Sequence, residues 1–367
     1  MSGAITTSSP RYPWLDLLRF CAAASVVVYH FKSVYVATLP AGSSLGSEIY
    51  AVTKFGYLGV DLFFLISGFV ILLSASGRDA TRFAIARFLR VYPTLWVCAS
   101  ITALTCLLLL GSKSDVSVGD WAVSLSLLSP YFGRPYVDGV YWTLLIELKF
   151  YFCVLVLIWL GWLEHYRIWL PAWLLATISF RVFGQPFFMG WFISPEYSPC
   201  FIAGIVVFRA TQEGWRPFHW CMLASCLLLS GSYGFQAVDT FARSVTDYDR
   251  WIAAGLIALL FVVFSVAVSV GSGDARRPIL GFLGGLTYPL YLLHDRIGKE
   301  AFAAMDRPRS PLARLSVVTA GVLLAATAVH LMVERRLADR MKAAAFELIS
   351  RARGRGTNCP SGSAAGD

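Results

Sequence analysis

The sequence predicts an all-α, polytopic membrane protein, and three observations support this prediction. Of the 367 residues, 57% are hydrophobic and 14% are charged, whereas about 25% of residues are charged in typical soluble domains. The hydrophobic residues are collected into blocks of about 20, the length that a helix needs to cross the hydrocarbon core of a bilayer. Three of these blocks contain no Asp, Glu, Lys or Arg, namely residues 91–110, 217–238 and 252–273.

Ten hydrophobic blocks predict a bundle of about ten transmembrane helices. The distribution of Lys and Arg over the connections weakly favours a cytoplasmic N terminus and a cytoplasmic C terminus. The predicted spans, in chain order, are residues 14–36, with three charges; 55–76, with one charge; 91–110, which is uncharged; 140–160, which holds Glu147 and Lys149; 168–187 and 193–208, with one charge each; 217–238 and 252–273, which are uncharged; and 279–295 and 312–333, with one charge each.

These spans form one predicted transmembrane domain, residues 13–335. It follows a short cytoplasmic segment, 1–12, and precedes a basic cytoplasmic tail, 336–367, whose Gly and Ser content predicts partial disorder. The formal net charge of +9 is compatible with binding to nucleic acid or with insertion into membrane lipid. Because the basic residues flank apolar spans and leave too little polar surface for a groove, we expect a membrane protein that binds no nucleic acid.

Two ionisable side chains in the first span share one helix face. Arg19 and His30 are eleven residues apart, which corresponds to three turns plus about 20° and to about 16 Å along the axis. Ionisable residues inside a membrane are costly and often functional. Arg19 could alternatively extend to the interface, and His30 could be a packed core residue. Asp16 is positioned to pair with Arg19 three residues later.

Glu147, in the fourth predicted span, lies at a depth that overlaps with that of His30 when residues are counted inward from the outer end. A buried carboxylate can fix the tautomer of a nearby imidazole and stabilise its protonated form, as general-base catalysis requires. The alternative is a structural pair with Lys149, but residues two apart on a helix do not face each other.

Three arginines, Arg82, Arg87 and Arg90, surround a short amphipathic segment before Pro93. On the cytoplasmic side they could be ordinary basic flanks of a span. Guanidinium groups also match the geometry of phosphate oxygens, so the cluster could bind a nucleotide-like ligand.

Six fragments resemble, in order, motifs of the membrane-integral acyltransferase-3 family, the bacterial O-acyltransferases of polysaccharides and related acceptors. Together they cover about residues 14–335. The fragments are WLDLLRF with Arg19 and His30; GYLGVDLFFLISGFVI at 56–71; RFAIARFLRVYP at 82–93; WTLLIELKFY at 142–151; LTYPLYLLH at 286–294, with Thr287 where the family usually has Ser; and VER at 333–335, without the Pro that often follows.

The resemblance implies transfer of an acyl group, most often acetyl, from cytoplasmic acyl-CoA to a hydroxyl of a glycan. The expected acceptor is a surface polysaccharide or exopolysaccharide, or its lipid-linked oligosaccharide precursor, at the inner membrane of a bacterium. Direct transfer and a covalent acyl-enzyme both remain open. The implied residues are His30 as catalytic base, Arg19 as its motif partner, Glu147 to orient His30 or hold the sugar, and Arg82, Arg87 and Arg90 to hold the phosphates of CoA.

Four more residues are expected to contact the acceptor, namely Asp61, Trp142, Tyr288 and His294. Packing against neighbouring tyrosines would equally explain His294, and a hydrogen bond between helices would explain Asp61. No metal is expected, since the residues of ligand type show no metal spacing. The sequence does not predict an oligomeric state.

Two other function classes compete with this prediction. A proton-coupled transporter could use the same buried His, Glu and Arg as a relay, and a non-catalytic component of an export complex would not need them. A small-molecule acceptor for the acyl group is a further alternative. The sequence shows no repeat between its two halves and no pair of interrupted spans in matching positions, which argues against a transporter.

Overall fold

The computed structural model describes residues 12–39, 43–111, 114–242, 245–271, 278–305 and 310–338, together with 340–341, 343–345 and 347. All regular secondary structure in this part of the chain is helical, which confirms the predicted all-α membrane bundle. The predicted segment 1–12, except Tyr12, and most of the predicted tail, 336–367, lie outside the described residues.

Thirteen α-helices follow one another along the described ranges. The α-helices are α1 (Pro13–Val36), α2 (Ser44–Thr53), α3 (Gly59–Ala75), α4 (Ala80–Leu110), α5 (Val118–Ser124), α6 (Trp142–Trp159), α7 (Tyr166–Phe183), α8 (Ser198–Glu213), α9 (Pro217–Phe241), α10 (Asp247–Ser269), α11 (Pro278–Leu293), α12 (Asp295–Ala304) and α13 (Pro311–Val329). Short 3-10 turns cover Gly56–Leu58, Ser129–Phe132 and Gly139–Tyr141, and wider π-helical turns cover Met189–Ile193 and His330–Ala338.

Seven helical segments of the described chain are long and apolar enough to cross a membrane. These segments are Pro13–Val36, Ser44–Ala75, Ala80–Leu110, Gly139–Trp159, Pro217–Phe241, Asp247–Ser269 and Pro311–Leu337. The helices α7, α8 and α11 overlap with the remaining predicted spans but are shorter or less apolar. The chain is therefore a multi-pass membrane protein, while the number of ten spans and the orientation of the termini stay predictions.

Helix α4 differs from the arrangement that the sequence suggested. Instead of a separate amphipathic segment followed by a span, one helix runs from Ala80–Leu110 straight through Pro93. At its start, the side chain of Asp79 accepts a hydrogen bond from the backbone N–H of Arg82. A proline in a helix removes one backbone hydrogen bond, which membrane helices tolerate when neighbouring helices pack around it. As a result, the arginines and the span lie on the same rigid helix.

The helices α3 and α8 pack against each other along their length, as do α1 and α11. Two glycines allow the first contact, because a Cβ on Gly68 would lie 2.2 Å from the carbonyl oxygen of Phe201, and a Cβ on Gly204 would lie 2.1 Å from that of Leu65. Small residues permit this close approach of helix backbones in membranes. The close contact fixes the position of α3, which lines the cavities described below.

One end of the bundle is covered by residues 114–138 together with α12. Arg296 of α12 joins the two, since its backbone N–H donates a 2.9 Å hydrogen bond to Asp138 and its guanidinium contacts Asp115. On its inner face, α12 packs so closely on α1 that a Cβ on Gly298 would lie 2.3 Å from the ring of Phe31. This contact places the start of α12 over the last turns of α1.

Candidate active site

Two adjacent cavities lie inside the bundle and share Val60 and Tyr291 in their walls. We call them the arginine cavity, which has a volume of about 200 Å³, and the histidine cavity, which has a volume of about 250 Å³. The polar residues that line the arginine cavity are Arg19, Ser67, Arg87, Arg90, Thr143, Glu147, Tyr151, Thr287, Tyr288 and Tyr291.

His30 lies in the histidine cavity beneath the start of α12. Its Nδ1 atom is 2.8 Å from Oδ1 of Asp295, the first residue of α12, and the Nζ atom of Lys299 is 2.5 Å from the same oxygen. Burial alone would raise the pKa of Asp295, but the contact with His30 and the charge of Lys299 outweigh burial and hold this pKa below its usual range. An ionised Asp295 favours a proton on Nδ1 of His30 and leaves Nε2 as the basic nitrogen.

The remaining wall of the histidine cavity is mostly aromatic. Trp142, one of the predicted acceptor contacts, lies in this wall, with its ring 5.5 Å from that of Tyr197. Among the described residues that line this cavity there is no Ser, Thr or Cys, and the ionisable ones other than tyrosines are His30 and Asp295. The aromatic lining residues are Tyr29, Tyr57, Trp142, Tyr197, Phe241 and Tyr291.

His294 is fully buried next to His30, with 5.2 Å between the ring centroids. Its Nδ1 atom is 2.8 Å from the carbonyl oxygen of Tyr291. Because a carbonyl oxygen only accepts hydrogen bonds, Nδ1 carries the proton and Nε2 is an acceptor. His294 lines neither of the two cavities. In this structure it packs behind the catalytic histidine candidate, and its expected contact with an acceptor stays a prediction.

Two of the three arginines in the arginine cavity are paired with carboxylates. Arg19 is 3.8 Å from Asp16, the pair that the sequence predicted, and Arg90 is 3.0 Å from Glu334. Arg87 instead lies against the rings of aromatic residues and has no carboxylate contact among the described residues. Its positive charge is therefore the one that remains for a ligand in this cavity.

Arg82 differs from the other two arginines of its cluster. It does not line the arginine cavity, and its Nε atom is 3.6 Å from Asp79 at the exposed start of α4. The predicted set of three phosphate-binding arginines is thus divided by the structure, because Arg87 and Arg90 point into the cavity while Arg82 lies at the helix end.

Glu147 does not contact His30, contrary to the pairing that the depth of the two residues suggested. Its Oε1 atom accepts hydrogen bonds from Ser67 at 3.0 Å and from Tyr151 at 2.8 Å, and it lines the arginine cavity. One turn earlier on α6, Thr143 contacts Tyr291 at 3.0 Å, and Tyr291 lines both cavities. Counting residues ignores the tilt and rotation of α6, and these are set by packing.

Two of the predicted acceptor contacts lie away from His30. Tyr288 lines the arginine cavity, where its hydroxyl donates to the carbonyl of Val91 at 3.0 Å. Asp61 lines neither cavity and faces Cys200 of α8, with 3.9 Å between Oδ1 and Sγ. For Asp61 the structure shows a contact between helices, the alternative noted above. In the described residues, no group of three or more His, Cys, Asp or Glu side chains could hold a metal ion.

A family profile described as an acyltransferase domain matches residues 12–331. The chain belongs to this acyltransferase family. It is a multi-pass membrane acyltransferase of the O-acetyltransferase-like type, which transfers acyl groups other than aminoacyl groups. No solved structure matches the chain significantly.

Three similar proteins have names that describe an acyltransferase activity or a bacterial process. Acyltransferase MdmB of Streptomyces mycarofaciens is 26% identical over 94% of this chain and 94% of its own length. Nodulation protein 10 of Rhizobium leguminosarum bv. viciae is 31% identical over 76% of this chain and 81% of its own length. O-acetyltransferase OatA of Staphylococcus aureus is 26% identical over 78% of this chain, which corresponds to 50% of OatA.

Two residues of this acyltransferase were not predicted as part of its site. Asp295 ends the predicted span 279–295, and its partner His30 is far away in sequence, so only the tertiary structure brings them together. Glu334, in the VER fragment, binds Arg90 and lies 2.8 Å from His330. For both residues, the signal that the sequence offered was a carboxylate near the end of a predicted span.

Proposed function

We propose that this acyltransferase moves an acyl group, in the simplest case acetyl, from cytoplasmic acyl-CoA to a hydroxyl of a glycan. The observation that carries the proposal is the pair of adjacent cavities, one lined by arginines and the other by a His–Asp pair, with Tyr291 in the wall of both. A donor with phosphates suits the first cavity, and a hydroxyl acceptor that must lose a proton suits the second.

The arginine cavity fits the phosphate-bearing donor. Arg87 has a charge without a carboxylate partner among the described residues, and Arg90 and Arg19 add guanidinium groups held by Glu334 and Asp16. Guanidinium groups bind phosphate oxygens through charge-assisted hydrogen bonds. In this arrangement Glu147 serves the donor side, where its carboxylate can accept a hydrogen bond from the amide groups of the pantetheine arm.

The histidine cavity fits a sugar ring as the acceptor. Six residues with aromatic side chains line it. The apolar C–H faces of a sugar stack on the electron-rich faces of such rings. Among its described lining residues there is no Lys or Arg to neutralise an acidic sugar. We therefore propose a neutral or amino sugar at the reacting position, presented by a surface polysaccharide or exopolysaccharide or by its lipid-linked precursor.

The proposed chemistry is general-base catalysis by His30. Its Nε2 takes the proton of the acceptor hydroxyl as the oxygen attacks the thioester carbonyl, and the ionised Asp295 stabilises the imidazolium that forms. The C–S bond then breaks, the ester forms on the acceptor, and the imidazolium returns the proton to the departing thiolate of CoA. Direct transfer is favoured over an acyl-enzyme on Ser, Thr or Cys, because none of these is found among the described residues lining this cavity.

Labelled acetyl-CoA and a crude glycan acceptor test the proposal with the purified protein in lipid nanodiscs. Wild-type enzyme should transfer the label, and His30→Ala should abolish transfer, whereas His165→Ala, at an exposed histidine, should leave it unchanged. A transporter would consume no thioester in this assay. Transfer that survives in His30→Ala at the wild-type rate would disprove the catalytic role of His30.

A further inference from the structure

We propose that Gly284 and Gly285 of α11 position two arginines of the arginine cavity by leaving room for the residues that hold them. Gly284 accommodates Asp16, the partner of Arg19, and Gly285 accommodates His330, which contacts the carboxylate partner of Arg90. The inference rests on the proposed function, since its measurable consequence is the affinity for the acyl-CoA donor.

The first contact joins α11 to α1. A Cβ on Gly284 would lie 2.6 Å from Cβ and 2.7 Å from Oδ1 of Asp16. These distances are far below ordinary van der Waals contact, so any larger residue would displace the Asp16 side chain. Arg19, whose guanidinium is 3.8 Å from Asp16, would then lose the group that fixes it at the cavity wall.

The second contact joins α11 to the π-helical turn His330–Ala338. A Cβ on Gly285 would lie 2.0 Å from Cε1 and 2.6 Å from Nε2 of His330. His330 lies 2.8 Å from Glu334, and Glu334 lies 3.0 Å from Arg90. Both His330 and Glu334 are buried. Displacing the imidazole would therefore move the carboxylate that holds Arg90.

The two contacts are independent because neighbouring residues of a helix point about 100° apart. Gly284 faces the start of α1, whereas Gly285 faces His330, the first residue of the π-helical turn that follows α13. One helix thus sets the positions of both carboxylate–arginine pairs, and it does so from two sides. Gly284 also lines the arginine cavity, whereas Gly285 does not. Neither glycine has a side chain that could bind the donor, so both act as positioning residues through the arginines.

The test is Gly284→Ala and Gly285→Ala, compared with Gly321→Ala as a matched control. Gly321 lies in α13, where a Cβ would meet no atom of the described residues within 4 Å, and alanine is the better helix former. We expect each of the first two variants to raise the KM for acyl-CoA about tenfold, the effect of losing one fixed charged contact. The KM for the acceptor and kcat at saturating donor should stay within about twofold of wild type, because His30 is untouched.

Double variants separate positioning from general damage. Gly285→Ala combined with Glu334→Gln should raise the donor KM no further than either single variant, since both act on Arg90. Gly284→Ala combined with Glu334→Gln should multiply the two effects, since they act on different arginines. Multiplicative effects in both combinations would overturn the inference.

Two further outcomes are decisive. If Gly284→Ala and Gly285→Ala change the donor KM no more than Gly321→Ala does, the inference is wrong while the proposed function stands. If wild-type enzyme uses no acyl-CoA, the proposed function is wrong, and so is the inference that rests on it. Should an alanine variant fail to fold, Asp16→Asn and Glu334→Gln probe the same arginines without adding an atom, and an unchanged donor KM in both would contradict the inference.

Discussion

Asp295 determines which nitrogen of His30 can act as a base. The carboxylate lies 2.8 Å from Nδ1, and its pKa is held below the usual range by His30 and Lys299 against the opposing effect of burial. Asp295 is therefore ionised across the pH range in which a histidine titrates. The sequence predicted His30 from its place in a span, but the orienting carboxylate came from a different helix than expected.

Asp295→Asn should lower kcat about a hundredfold or more, because an amide cannot stabilise the imidazolium and can hold the wrong tautomer. The donor KM should not change, since Asp295 does not line the arginine cavity. Steady-state kinetics at pH 6, 7 and 8 would show the same relative loss at each pH, because the wild-type carboxyl stays ionised throughout. Asp239→Asn, at an exposed ion pair, is the control, and an equal loss in this control would refute the assignment.

Arg87 and Arg82 should differ in their effect on the donor although they lie on the same helix. Arg87 lines the arginine cavity without a carboxylate partner among the described residues, whereas Arg82 pairs with Asp79 at the helix end. Arg87→Gln should raise the KM for acyl-CoA about tenfold or more, and Arg82→Gln should raise it less than threefold. A larger increase of the donor KM in Arg82→Gln than in Arg87→Gln would place the CoA phosphates outside the arginine cavity.

At the scale of helices, the sequence predicted well which segments form helices. It did not predict how these helices are rotated and connected. Uncharged blocks such as 252–273 could only be membrane helices, and the structure has α10 (Asp247–Ser269) there. In contrast, Pro93 suggested a boundary inside α4, and depth counting suggested a contact between Glu147 and His30. Both errors arise because packing of neighbouring helices overrides local signals.

The cover formed by α12 should loosen as pH rises, because Asp138 links it to residues 114–138. Burial, and next the charge of Asp295, raise the pKa of Asp138 to about 7. The folded protein therefore binds a proton that the unfolded chain has lost between about pH 4 and pH 7, and the free energy of unfolding falls with rising pH by up to about 1.4 kcal/mol per unit. The pKa of Asp295 is lowered instead, so this carboxyl changes the free energy of unfolding only at a pH below this range.

Asp138→Asn should remove this part of the pH dependence, since an amide has no carboxyl proton to lose and still accepts a hydrogen bond from Arg296. The measurement is thermal unfolding of both proteins in one detergent at pH 5 and pH 8. We expect the variant to gain stability relative to wild type at pH 8 compared with pH 5. A difference between the two proteins that does not change with pH would contradict the pKa of Asp138.

For the whole molecule, the proposal assigns the donor to one of the two adjacent cavities and the acceptor to the other. The arginine cavity reaches toward the start of α4, and the histidine cavity lies beneath α12. If both termini are cytoplasmic, as the basic residues favour, the donor end faces the cytoplasm and the cover over His30 faces the other side. The composition that excluded a soluble fold also made the few buried charges visible, but their grouping into two cavities required the tertiary structure.

This orientation predicts opposite accessibility of two cysteines in intact cells. In a background without the other cysteines, Cys359 of the tail should resist a membrane-impermeant maleimide, whereas a cysteine introduced as Phe132→Cys, at an exposed position, should react. Lysis should make both reactive. Labelling of Cys359 in intact cells would invert the assignment of donor and acceptor sides.

The most direct test of the central claim, a donor at the arginine cavity and a base at the histidine cavity, is sided acyl transfer in proteoliposomes. Oriented vesicles receive labelled acetyl-CoA on the side of the tail and a soluble glycan on the opposite side. The account predicts transfer across the membrane in this arrangement and none when the two substrates are exchanged. Transfer that occurs only when donor and acceptor are on the same side would contradict it.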